Sequence, residues 1–149
     1  MLDYTDYDTR LAGYALVTDQ DSRVLLSRWI GPDGPLWTCP GGGIEFGESV
    51  VEGIARELFE ETGFEVQVGR LLDVRTWEVR AEDRLHPSKR PMRAVQVFHE
   101  ATVTGGELTF EVAGSSDMAG WFTVDEIADL PHAATVDHLL TLRSVGLDH

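Results

Sequence analysis

"PGGGIEFGESVVEGIARELFEETGF", Pro40 to Phe64, sets three consecutive glycines ahead of six glutamates and a single arginine. Its second half predicts a helix over Ser49 to Thr62. Ser49 and Glu52 have the S-x-x-E spacing of a capping box, which satisfies orphan amides at a helix start. Val51, Ile54, Ala55 and Leu58 recur at i, i+3, i+4 and i+7 and predict one apolar stripe for a core. Gly63 supplies a C-terminal cap, since glycine turns left-handed without steric cost. None of these features requires Glu57, Glu60 or Glu61. At ~100° per residue those three lie within an arc of roughly 100° on one helix face. Like charges at these spacings repel, and the last helical turn meets the negative end of the helix dipole. A helix selected for stability alone would carry Lys or Arg there, so something positive is expected to offset the penalty.

An acidic helix face is usually a solvated surface, and a run of glycines is usually a turn. Three carboxylates with no His or Cys beside them also make a hard, oxygen-only donor set. Such a set suits Mg²⁺ or Mn²⁺ rather than zinc. Glycines nearby let backbone approach an anion closely and offer carbonyls to a metal.

Outward from this segment, Leu11 to Asp19 and Arg23 to Trp29 predict hairpin strands joined by a turn at "DQDS". Residues 30–35 predict a loop from their glycine and proline content, followed by a short strand at "LWTCP". Val66 to Val79 reads as strand with a bend at Gly69, and Arg80 to Pro91 as a charged loop. Arg93 to Thr104 alternates like a strand, with Gly105-Gly106 turning it into "ELTFEV"; "MAGWFT" is a last short strand. Thr123 and Glu126 repeat the capping-box spacing ahead of a short helix that stops near Pro131. Ala133 to Val145 predicts a second amphipathic helix, ended by Gly146. This order predicts a single α/β domain over 1–149, with a mixed sheet between helices rather than a regular parallel βαβ succession.

Composition narrows the class of function. With 149 residues and 42% hydrophobic content, the chain is expected to fold around one real core. The only cysteine, Cys39, excludes an intramolecular disulfide and suits a reducing, cytoplasmic setting. No signal peptide or membrane span is expected. A net charge of −14 argues against binding nucleic-acid polymers or anionic lipid. A small phosphorylated ligand remains compatible where cations neutralise it locally.

Gly42, Glu48, Arg56-Glu57-Leu58, Glu60-Glu61 and Gly63-Phe64 fit the Nudix box without a gap. Seven fixed positions at a frequency of roughly one in fifteen coincide by chance about once in 10⁸ placements. The Trp37 and Pro-Gly-Gly lead-in, the "GGEL" turn and "WFTVDEIADL" also resemble Nudix hydrolases, although only the box is specific. The resemblance implies an α/β/α sandwich around a mixed β-sheet. It also implies a metal-dependent pyrophosphohydrolase that cleaves a nucleoside diphosphate linked to another moiety, by water attack at phosphorus.

Carried over by position, the resemblance makes Glu57, Glu60 and Glu61 metal ligands, with Gly41 or Gly42 contributing a carbonyl. Arg56 would orient a box glutamate; Glu48 would support the loop, with a metal contact through water and a substrate contact as further candidate roles. The general base is open between a box glutamate and a carboxylate of the later loop, where Glu111 and Asp117 are the candidates. Arg28 is a candidate phosphate contact; Trp37, Trp77 and Phe98 are candidates for base stacking, each with a core role as the competing explanation. Nucleoside triphosphates and nucleotide derivatives such as ADP-ribose both remain open as substrates. No proline or tyrosine stands about sixteen residues after Gly63, near Val79, which weighs against the ADP-ribose and dinucleoside-polyphosphate subgroups. A non-catalytic nucleotide-sensing or interaction domain is the alternative, and the intact carboxylates weigh against it. Many relatives are dimers, which leaves a homodimer open.

Overall fold

Period-two burial along the strands builds two cores on opposite sides of the sheets. The computed structural model describes residues 1–109 and 116–146. The elements run β1 (Asp8–Leu16), β2 (Val24–Gly31), β3 (Gly34–Thr38), β4 (Gly41–Gly43), α1 (Val50–Thr62), β5 (Phe64–Val79), β6 (Met92–Gly106), β7 (Ser116–Phe122), α2 (Val124–Ala128) and α3 (Ala134–Gly146). Successive strand residues face opposite sides. Ala15, Val17 and Leu25 therefore join Ile54 and Leu58 of α1 on one side. Leu16, Leu26, Trp37 and Phe98 meet Ile127, Val136 and Leu139 of α2 and α3 on the other. Each fully buried Leu, Ile or Phe side chain contributes roughly 2 kcal/mol. Among the described residues, no helix is long and apolar enough to cross a membrane.

One sheet has the strand order β4-β1-β6-β5 and the other β3-β2-β7. β1 and β6 pair in parallel, while their outer neighbours β4 and β5 pair antiparallel, so the first sheet is mixed as expected. β5 shifts register between Val68 and Asp73, beside the bend expected at Gly69. The close approach of β4 to β1 depends on Gly41. Its φ is +142°, and a Cβ there would come 2.1 Å from the Gly13 carbonyl oxygen. A Cβ on Gly13 would in turn meet Ile54 Cγ1 at 2.7 Å, so α1 lies directly on the strand.

Helix α1 is capped as predicted. Ser49 Oγ accepts the Glu52 N–H at 3.1 Å, Glu52 Oε1 accepts the Ser49 N–H at 2.9 Å, and Gly63 takes a φ of +79°. The apolar stripe differs from expectation. Val51 is 45% exposed, whereas Val50 packs beside Ile54 and Leu58. Glu61 and Thr62 are buried on the same helix, and the Gly41 N–H holds the Glu61 carboxylate in place.

Three other expectations change. β1 and β2 do not pair as a hairpin but lie in different sheets, joined by the bridge between Thr18 and Val24. Gly31 pairs with Gly34, so Pro32 and Asp33 form a tight hairpin turn instead of a six-residue loop. The strand expected after Gly106 is not formed over Glu107 to Thr109, and its remainder lies outside the described residues.

His132, in the link between α2 and α3, faces two acceptors. Leu130 O is 2.8 Å from Nδ1, and Asp137 Oδ1 is 2.9 Å from Nε2. Only the imidazolium donates to both. The Leu130 carbonyl, then Asp137, raise the His132 pKa against the opposing effect of burial. A raised folded-state pKa gives stability that is complete below the unfolded value of about 6.5 and is lost as pH climbs through the folded value. In thermal melts, the advantage of the parent protein over His132→Gln should therefore shrink as pH rises from about 6 to about 9. A constant or growing advantage contradicts this assignment.

Candidate active site

The glycine strand β4 and the acidic face of α1 meet through Arg56. Its Nε and Nη2 form a two-point contact with Glu48, at 3.1 Å to Oε2 and 2.7 Å to Oε1. Nη1 donates to Glu57 Oε1 and Glu60 Oε2, each at 3.2 Å, and Nη2 donates to the Gly43 carbonyl at 3.1 Å. Glu45 Oε1 lies 3.7 Å from Nη1. Glu48 also accepts the Glu45 N–H at 2.7 Å, which closes the loop between β4 and α1. Arg56 and then the Glu45 N–H hold the Glu48 carboxyl below its ordinary pKa.

Glu61 reaches the other side of the cluster. It is 6% exposed, and its Oε2 accepts the Gly41 N–H at 3.1 Å. Glu57 adjoins both Glu61 and Gly42. A Cβ on Gly42 would stand 2.9 Å from the Glu57 carboxyl carbon, so the missing side chain makes room for that carboxylate. Burial pushes the Glu57 pKa up despite Arg56 beside it. One guanidinium thus serves Glu45, Glu48, Glu57 and Glu60, with Glu61 close by and bonded to backbone. The donor set is oxygen-only and electron-rich, which fits a hard divalent cation. Among the described residues, no group of three or more His, Cys, Asp or Glu side chains stands ready-gathered around one point. Arg56 is instead shared by Glu48, Glu57 and Glu60, and the Gly41 N–H holds Glu61.

A cavity of about 520 Å³ opens beside this cluster. Gly41, Gly42 and Glu61 line it, as do Arg10 and Tyr14 of β1 and Arg84, Leu85 and His86 of the 80–91 loop. Cys39 also borders it, fully buried, and burial pushes its thiol pKa up, which leaves it a poor nucleophile. The structure therefore brings together Gly41, Gly42, Glu48, Arg56, Glu57, Glu60 and Glu61 from the sequence-predicted set. Trp37 and Phe98 pack in the core. Trp37 sits edge-on to Phe122, and the Arg28 guanidinium lies 5.9 Å from its ring. Trp77 is 40% exposed, with Arg75 over its ring. Asp117 belongs to β7, and Glu111 lies outside the described residues.

Arg10, Tyr14, Arg84 and His86 were not singled out from sequence. The single signal was Arg10 itself, a charged residue on the same strand face as Ala12 and Tyr14.

The sequence profile of the NUDIX domain matches residues 8–142. The chain belongs to the Nudix hydrolase family. An uncharacterised Nudix hydrolase of Bacillus subtilis is 30% identical over 145 residues, covering 96% of this chain and 85% of that protein. The chain spans between 51% and 64% of several other curated relatives. A NUDIX hydrolase from Nitrosomonas europaea superposes with a TM-score of 0.77 at 22% identity, over 93% of this chain and 90% of its own. The NUDIX domain of Shewanella oneidensis NrtR, complexed with ADP ribose, superposes with a TM-score of 0.70 at 21% identity, over 98% and 94%. At such identities these two structures establish the likeness of fold alone.

Removing the Nudix-box arginine should show how much the cluster depends on it. Arg56→Gln is expected to lower stability by about 2 kcal/mol in urea denaturation, less than full burial would cost because part of the guanidinium is solvated. Arg56→Lys should recover only a fraction, because an ammonium cannot form the two-point contact with Glu48 and still reach Glu57 and Gly43. Full recovery by lysine would show that charge alone, without the planar fork, holds the cluster.

Proposed function

We propose that the protein is a Mg²⁺- or Mn²⁺-dependent pyrophosphohydrolase cleaving a nucleoside diphosphate linked to another moiety. The observation that carries this reading is the gathering of Glu57 and Glu60 on one arginine, with Glu61 held by the Gly41 N–H at the wall of the adjoining cavity. The neighbour complexed with ADP ribose shows that a related fold accepts a nucleotide of this class. Glu48 and Glu57 each keep under a fifth of their side-chain surface in solvent, which supports a rigid arrangement.

Glu57 and Glu61 are the preplaced ligands of this reading, and the more exposed Glu60 completes the set by turning from Arg56. A bound divalent ion supplies neutralisation of the phosphoryl oxygens and a more acidic water. The chain does the positioning. Arg56 fixes the helix face to the β4–α1 loop, the Gly41 N–H fixes Glu61, and Gly42 leaves space for Glu57. Water attacks phosphorus, the P–O–P bond breaks, and the proton of that water passes to a carboxylate of the box or to Glu111 or Asp117.

An unbiased screen of nucleoside diphosphate derivatives with Mg²⁺ or Mn²⁺, with products identified by mass, tests this directly. Turnover should require the metal, and Glu61→Gln should lower kcat by about a hundredfold or more. Mg²⁺ should also raise the Tm of the parent protein, and by less in Glu60→Gln. Equal, negligible product from both proteins across the panel would instead indicate a binding domain without turnover.

A further inference from the structure

Arg10 is a cation of the cavity that the acidic cluster does not use. It stands on β1, exposed at the cavity, and its partner in the parallel ladder is Ala94 of β6. Ala12, two residues on and facing the same side, is buried, as is Ala94. Two buried alanines therefore share its face of the sheet. Its Nη2 lies 3.5 Å from where a Cβ on Gly43 would stand, one residue from the glycine that makes room for Glu57. Its polar neighbour is the Tyr14 hydroxyl. Among the described residues it forms no ion pair.

Arg84 lines the same cavity, yet its charge is committed elsewhere. Its Nη1 donates to Asp8 Oδ2 at 2.8 Å and to the Arg90 carbonyl at 2.9 Å. The chain has 26 acidic and 12 basic residues, yet among the described residues no carboxylate pairs with the guanidinium of the cavity-facing Arg10. Pairing it would cancel its field. Without a carboxylate partner, it offers a planar set of donors to the cavity, the geometry that matches phosphate oxygens.

We propose that Arg10 binds a further phosphate beyond the metal-held diphosphate, so that the site prefers a nucleoside triphosphate to a nucleoside diphosphate capped by a neutral sugar. The proposal rests on the hydrolase reading for where the diphosphate lies. It adds a residue outside the Nudix box and a choice between the two substrate classes. Arg10 acts on binding of the outer phosphate and takes no part in proton transfer.

The test compares kcat/KM with Mg²⁺ for a nucleoside triphosphate and for the same nucleoside diphosphate esterified to an uncharged hexose, in the parent protein, Arg10→Gln and Arg10→Lys. The ratio of triphosphate to capped substrate should fall roughly tenfold or more in Arg10→Gln, through KM, as expected for loss of a charge-assisted contact. Arg10→Lys should lose less, since it keeps the charge without the fork. A ratio unchanged within about twofold overturns the proposal, whether both rates fall together or neither does. Failure of the hydrolase reading would look different, because the parent protein would then cleave neither substrate. In that event calorimetry with a methylene-bridged triphosphate decides. Binding weakened about tenfold in Arg10→Gln supports the anion site, and equal or absent binding overturns it.

Discussion

Two like unit charges 4 Å apart repel by about 4 kcal/mol at the effective dielectric typical of a protein surface. The C-terminal half of α1 brings Glu57, Glu60 and Glu61 together, and the preceding loop adds Glu45 and Glu48. A single guanidinium makes this arrangement tenable. Arg56 spends two N–H groups on Glu48 and one amino group on Glu57 and Glu60, and it reaches the Gly43 carbonyl as well. It therefore ties together strand, loop and helix, three pieces that are otherwise joined only by chain continuity and the contacts of α1 with the sheet. One positive charge is still too few for five carboxylates. On the proposed reading, a divalent cation offsets that deficit.

The cavity has a separate origin, in sheet pairing. Parallel pairing of β1 with β6 sets Arg10 against Ala94, Ala12 against Gln96 and Tyr14 against Phe98. Small residues near one end of this face leave space, and aromatic ones near the other fill it, with Tyr14 stacked on Phe98. Pairing of β4 on the outer edge of β1 then brings Gly41 and Gly42 alongside. The acidic helix approaches from the opposite side of the sheet, because Gly13 lets Ile54 sit directly on the strand. Glu61 consequently reaches the Gly41 amide around the edge of the sheet. Edge position, glycine content and helix proximity are a single geometric solution.

Much of this was legible in local sequence. Caps of α1 and α2, the bend at Gly69 and the spacing of the acidic residues depend on neighbours within a few positions, and they formed as expected. The stripe of α1 was less legible. Periodicity alone favours Val51, but a hydrogen bond from a glycine twenty residues upstream holds Glu61 inside, and Val50 takes the inward place. The turn at Pro32-Asp33 was read as a loop because composition signals a break without giving its length. Nothing local marks Arg10 or His86 as cavity residues. Arg10 comes near the glycines through the antiparallel pairing of β1 with β4, and His86 through a loop pinned by Asp8.

Charge explains why the two parts of the site belong together. A protein of net charge −14 repels a polyphosphate at long range, and the carboxylates of α1 repel it at short range. A divalent ion reverses the sign only where it binds, and a phosphate beyond that ion's reach would again face an acidic surface. Arg10 lies beside β4, outside the carboxylate cluster, and its charge is not cancelled by a partner. An outer phosphate placed there meets a favourable field without a second metal. A neutral cap gains nothing from that field and must still displace the water around an exposed guanidinium. Selectivity of this proposed kind requires no change in the box and would leave the choice of substrate to β1, upstream of it.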